Sequence, residues 1–168
     1  RRTVIKEYKE GRKPIRKNYE VAGMDKQSEN ENKYWQQEIL MEMLNEMPMI
    51  QLMLERTEAD DIIAYITKSP KYFGWQKVII SSDKDFNQLL DEETVLYRPI
   101  AKKTMNKNSV IEEFGISPQN FAIARAMAGD KSDNLEGIRG AGLKTISKRL
   151  PTLREEKDYY LNDIYEMC

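Results

Sequence analysis

The pattern of apolar and polar positions divides the chain into short, alternating elements. Val78, Ile79 and Ile80 are three β-branched apolar residues in a row, and the run stops at Ser81-Ser82. They predict a strand over 75–80, buried and covered on both faces. Phe86, Leu89 and Leu90 then take up a helical spacing, and a second short strand over 94–97 follows the turn-forming Asp91-Glu92-Glu93. Upstream, Ser28 and Glu31 resemble a capping box that ends a polar loop over 20–32. Tyr34, Trp35, Ile39, Met41 and Leu44 then carry a helix to about Glu46, with Met and Trp expected in the core. Pro48 ends that helix, and residues 49–54 read as a short strand. Thr57 is a natural N-cap for a helix whose Ile62, Ile63 and Ile66 face the sheet, closed at Ser69-Pro70. Further on, Asn108 or Ser109 caps a helix through Phe114, and Ser117-Pro118 opens another to about Met127. The last thirty residues carry no strand pattern and read as all-helical. This order predicts an α/β fold: a mixed, mostly parallel central sheet with helices on both faces.

Composition narrows the chemistry. The chain has 168 residues, 40% apolar and 33% charged, enough for one domain with a small appendage. No apolar run approaches the roughly 20 residues needed to cross a bilayer, so no membrane partner is expected. The one cysteine is Cys168, which fits a reducing cytoplasm, and there is no histidine. Without the commonest general base and zinc ligand, proton transfer falls to carboxylates, lysines or metal-bound water. The net charge of −1 hides segregation. Residues 1–17 hold Arg1, Arg2, Lys6, Lys9, Arg12, Lys13, Arg16 and Lys17 against Glu7 and Glu10, and residues 139–149 hold Arg139, Lys144, Lys148 and Arg149 with no acid. Basic ends around an acidic centre suit a polyanion held by its backbone, although a charge run is as often a solvated face.

The acids fall into three clusters at element ends. Glu58, Asp60 and Asp61 stand in a first helical turn, with Glu58 and Asp61 on one face. Asp83 and Asp85 follow the strand over 75–80, and Asp130 and Asp133 lie three apart in Gly129-Asp-Lys-Ser-Asp-Asn134. Singly, such acids favour a helix dipole or cap a turn. Seven carboxylates converging beyond one end of a sheet would repel, and a hard cation relieves that repulsion. Oxygen donors without His or Cys select Mg²⁺ or Mn²⁺. Two such ions about 4 Å apart are the usual apparatus for phosphodiester hydrolysis.

Glu58-Ala-Asp-Asp61, Ser82-Asp-Lys-Asp85, Gly129-Asp-Lys-Ser-Asp-Asn134 and Gly137-Ile-Arg-Gly-Ala-Gly-Leu-Lys-Thr145 occur in this order. Together they resemble the flap endonuclease type of 5′ nuclease, the 5′–3′ exonuclease domain of bacterial DNA polymerase I and its phage relatives, over roughly residues 1–150. The resemblance implies a PIN-like nuclease core over 1–128, with a helical arch about 8–45, and a helix–two-turns–helix DNA-binding element over 129–168. Asp60, Asp61 and Asp83 would hold a first ion, with Glu58 supporting through water, and Asp85, Asp130 and Asp133 a second. Tyr8-Lys-Glu-Gly-Arg12 resembles the family's Tyr-Lys-x-x-Arg, so Lys9 and Arg12 would contact the scissile phosphate and Tyr8 would stack on a frayed base. Gly137, Arg139, Gly140, Gly142, Lys144 and Thr145 would grip duplex DNA, with K⁺ at that hairpin.

The implied activity is divalent-metal-dependent cleavage of 5′ flaps or 5′ ends, on DNA or RNA–DNA primers, by a monomer in a bacterial or phage-infected cytoplasm. A replication polymerase or single-strand-binding protein would be its partner. Arg1 is not a start methionine, and an upstream portion is expected: the family's first strand and two further Asp residues would lie before it. Should those be absent from the polypeptide, the alternative is a catalytically incomplete, structure-specific DNA-binding relative. A PIN-like metal nuclease without the hairpin is disfavoured by Gly137–Thr145.

Overall fold

The computed structural model describes residues 26–131 and 133–167. They divide after Arg56 into two compact units. In the first, α1 (Lys26–Asn45) starts ahead of Ser28, so Ser28 and Glu31 lie within the helix and not at its start. Lys, Gln and Glu are good helix formers, and they extend α1 through the stretch 26–32 expected as loop. Tyr34 and Trp35 are 69% and 59% exposed, and Met41 and Met43 are exposed too, against the expectation that they are core. Residues 49–54 form no strand. Gln51 turns back instead, its amide donating to the Met41 carbonyl and to Asn45 Oδ1.

The second unit, from Thr57, holds the sheet. β1 (Lys77–Ile80) pairs parallel with β2 (Thr94–Arg98), with Lys77 opposite Thr94 and Ile80 opposite Tyr97. β2 pairs antiparallel with β3 (Lys103–Met105), a strand too short to leave a periodic signal. Alternation sends Ile79, Leu96 and Met105 to one face, where all three are buried. Val78 and Ile80 point to the other face and stay 55% and 70% exposed, so β1 is not covered on both sides as its composition suggested. The β-branched run reports strand propensity here rather than two-sided burial.

Onto the buried face pack Phe86 and Leu89 of a 3₁₀ helix (Lys84–Leu89), Val110 of α3 (Lys107–Phe114), and Phe121 and Ala124 of α4 (Pro118–Ala128). Phe114 and Phe121 meet edge to face at 5.2 Å. Ile146 of α5 (Leu143–Arg149), Leu153 and Ile164 of α6 (Leu161–Met167) join the same cluster, so the C-terminal helices share this core. α2 (Ala59–Lys68) begins one residue later than foreseen, with Glu58 in the cap position, and ends at Ser69. The cap of α3 is Asn106, which accepts from Ser109 N while Ser109 Oγ accepts from Asn106 N. Buried Asn120 draws the C-terminal segment in: its amide donates to carbonyls of Leu153, Glu155 and Lys157, and its Oδ1 accepts from Tyr159 N.

Candidate active site

The carboxylates collect beyond the C-terminal end of β1, where parallel-sheet proteins open their clefts. The chain leaves Ile80 through Ser81, whose Oγ accepts from Asp83 N at 3.1 Å. Asp83 then caps the 3₁₀ helix, its Oδ1 accepting from Asp85 N at 3.0 Å. This turn displays both side chains on the same side as the start of α2. Asp60, Asp61, Asp83 and Asp85 therefore line one cleft of about 210 Å³, floored by Ala64, Phe86 and Leu89. Asp60 and Asp61 come from the first turn of α2, where the helix dipole favours negative charge. Glu58 precedes them as the cap residue and is not part of the cleft lining.

Asp130 reaches this region through an arginine. Gly129, in the left-handed region at φ 72°, ends α4 and turns the chain into a tight loop. Asp130 and Leu135 exchange two backbone hydrogen bonds of 2.8 Å, with Asp133 N donating to the Asp130 carbonyl inside the loop. Arg125, one turn before the end of α4, donates from Nε to Asp85 Oδ1 at 3.0 Å and from a terminal nitrogen to Asp130 Oδ2 at 2.5 Å. Burial works against its charge, but Asp85 and Asp130 outweigh that and hold the guanidinium pKa above its ordinary value. Sequence reasoning missed Arg125; the one available signal is a basic residue in the otherwise apolar run 121–128, five before Asp130.

The hairpin follows. Gly137 packs backbone to backbone on α4's end: a Cβ there would lie 2.2 Å from the Ala128 carbonyl carbon and 2.4 Å from Gly129 N. Its need for glycine is met by this contact. Gly140, at φ 78°, and Gly142 have open space where a Cβ would stand. Arg139 and Lys144 are exposed, and Ala128, Lys131 and residues 134–142 surround an open cavity of about 780 Å³. Gly142 caps α5, its carbonyl accepting from Thr145 N at 2.8 Å. Tyr8, Lys9 and Arg12 lie outside the described residues.

The donor set fits a hard divalent cation: four carboxylates line the cleft, Gln88 adds an amide, and no His or Cys is among the lining residues. Among the described residues, no three carboxylates are drawn together as tightly as a metal ion would hold them. No helix of the described residues is long and apolar enough to cross a membrane.

An α/β core with a small mixed sheet and acids past its parallel strand end defines the class of fold. It matches bacteriophage T5 D15 flap endonuclease in a pseudo-enzyme–product complex with DNA and metal ions, at TM-score 0.71 and 19% identity, covering 98% of this chain and 58% of that one. The T5 D15 protein co-crystallised with metal ions gives TM-score 0.69 at 20% identity. Residues 1–115 match the family described as 5′-3′ exonuclease, N-terminal resolvase-like domain, and the chain belongs to that family. A 5′-3′ exonuclease of Aquifex aeolicus is 37% identical over 107 residues, 64% of this chain and 37% of that protein. DNA polymerase I of Streptococcus pneumoniae is 38% identical over 117 residues, 66% of this chain and 13% of that protein. The match thus spans well under half the length of these two curated relatives.

Proposed function

We propose that this chain carries the nuclease core of a divalent-metal-dependent 5′ nuclease, cleaving phosphodiesters of branched or 5′-ended DNA, or of RNA–DNA ends, in replication and repair. The observation that carries the reading is the cleft lined by Asp60, Asp61, Asp83 and Asp85, with Asp130 tied to Asp85 through Arg125. Asp60, Asp61 and Asp83 would hold one Mg²⁺ or Mn²⁺, with Glu58 acting through water, and Asp85, Asp130 and Asp133 would hold another. Such ions supply an activated water and offset charge on the leaving oxygen. Lys9 and Arg12 would bind the scissile phosphate and stabilise its developing charge, while Tyr8 stacks on an unpaired base.

On this reading residues 129–168 would grip the uncleaved duplex and residues of about 8–45 would supply the arch. Gly140 and Gly142 leave room for a phosphate to approach the backbone, and Arg139 and Lys144 add charge there. Thr145 and Gly137 hold the hairpin's shape, and K⁺ is a fitting ion for its carbonyls. The setting would be a bacterial or phage-infected cytoplasm, with a replication polymerase or single-strand-binding protein as partner.

The test is cleavage of a 5′-flap substrate with Mg²⁺ by the full-length polypeptide and its Asp83→Asn variant. Asn keeps an oxygen to cap the 3₁₀ helix, so the variant should fold. We expect cleavage to fall by at least about a thousandfold while flap binding holds or tightens, because a charge repelling phosphate is gone. Weaker flap binding by Asp83→Asn would count against the metal role. The alternative reading is a structure-specific DNA-binding relative of the same fold without cleavage. Flap binding by the wild type without any cleavage would establish that reading instead.

A further inference from the structure

Arg125 occupies an unusual position. The side-on fork of a guanidinium, Nε together with one terminal nitrogen, suits the two oxygens of a single carboxylate. Here the fork takes one oxygen from each of two carboxylates, Asp85 on the 3₁₀ helix and Asp130 on the loop after α4. These two acids are 45 residues apart, and the fork turns their oxygens toward one positive centre. A cation shared between them would draw the same oxygens to the same place. The arginine is itself well anchored at its base, since its carbonyl accepts from Gly129 N at 2.9 Å within the last turn of α4. Its side chain stays 26% exposed, which leaves the guanidinium a route outward.

We infer that Arg125 is a resident counter-cation of the Asp85–Asp130 pair, a positioning residue that holds these ligands together in the ion-free protein and must give way before a divalent ion binds between them. The inference rests on the proposed nuclease reading, which puts the second ion at Asp85, Asp130 and Asp133. Two consequences follow. The guanidinium spares the folded chain the repulsion of two facing carboxylates when no metal is present. It also competes with the ion for those same oxygens, so affinity at this site is lower than the acids alone would give, and the second ion loads only at higher concentration.

The experiment is Mn²⁺ titration calorimetry, with thermal unfolding in EDTA and in Mn²⁺, on the full-length polypeptide. It compares wild type, Arg125→Met and Arg125→Gln, with circular dichroism checking that each is folded. Met matches the apolar stem and removes the charge; Gln keeps a hydrogen-bond donor and is the fallback should Met unfold the chain. Removing one positive charge beside a divalent site should tighten the weaker Mn²⁺ site by about tenfold. Both variants should melt lower than wild type in EDTA and recover more on adding Mn²⁺. Unchanged or weaker Mn²⁺ binding in the folded variants, with two sites still present in wild type, would overturn the role of Arg125 alone. Absence of Mn²⁺ binding in wild type and variants alike would overturn the metal-centre reading beneath it, and the inference with it.

Discussion

Gly137 and Gly142 look alike in the sequence, yet they stand in opposite surroundings. A methyl group on Gly137 would meet the Ala128 carbonyl at 2.3 Å, and backbone cannot rotate away as a side chain can. Gly137→Ala should therefore destabilise the protein by about 3 kcal/mol, read from the midpoint of urea unfolding. Gly142→Ala meets nothing within 4 Å and has an ordinary negative φ, so its unfolding midpoint should stay within about 0.5 kcal/mol of wild type. Should the hairpin carry a phosphate contact, Gly142→Ala will instead weaken duplex binding several-fold in fluorescence anisotropy. Equal midpoints for the two variants would contradict the packing described. Spacing alone identified the glycines but not which of them faces backbone, because the partner, Ala128-Gly129, precedes a loop whose closure on Leu135 no periodicity announces.

At the scale of elements, the turn between the 3₁₀ helix and β2 is fastened by two ion pairs. Lys68 of α2 reaches Asp91 at 2.7 Å, and Lys77 of β1 reaches Glu93 at 2.7 Å. Burial raises the Asp91 pKa, but the Lys68 hydrogen bond, with that from Glu93 N, more than offsets this and leaves it below the ordinary 3.8. Glu93 is held below 4.5 by Lys77 and then by Gly74 N. Carboxylates with depressed folded-state pKa values contribute stability above their ordinary pKa, and that contribution fades as pH falls through the depressed range. Urea midpoints measured from pH 7 to pH 3 should accordingly drop below about pH 4.5. The Asp91→Asn/Glu93→Gln double variant should show a shallower drop; an unchanged slope would show these pairs do not matter. The charged turn was legible as a turn, and so were α2, α3 and α4 from their apolar spacing, although only α4 keeps its expected start, at Ser117. What misled was local likeness: residues 49–54 are as apolar as a strand yet form none, and Ser28 with Glu31 has capping spacing inside a helix that had already begun.

Across the whole molecule, the succession α2, β1, β2, α3, α4 and the placing of Asp60, Asp61, Asp83 and Asp85 in one cleft followed from where each acid stands relative to a strand end or helix start. Arg125 was not legible, because its meaning depends on two acids, one of them 40 residues earlier and the other five residues later, just past the end of α4. One further consequence concerns how the chain folds. Every β1–β2 pair joins residues 17 apart, from Lys77 with Thr94 to Ile80 with Tyr97, so the parallel pair closes over a connection of only 13 residues, 81–93. Closing so short a loop costs little entropy, which makes this pairing an early event by the standards of parallel sheets. Asp83 and Asp85 ride on that connection, and sheet closure carries them toward Asp60 and Asp61. The same collapse that gains burial for Phe86 and Leu89 thus concentrates negative charge. Refolding followed by stopped-flow fluorescence of Trp75 should accelerate as NaCl is raised from low ionic strength, since screening removes that electrostatic cost. A refolding rate indifferent to salt would mean the acids meet only after the barrier is crossed.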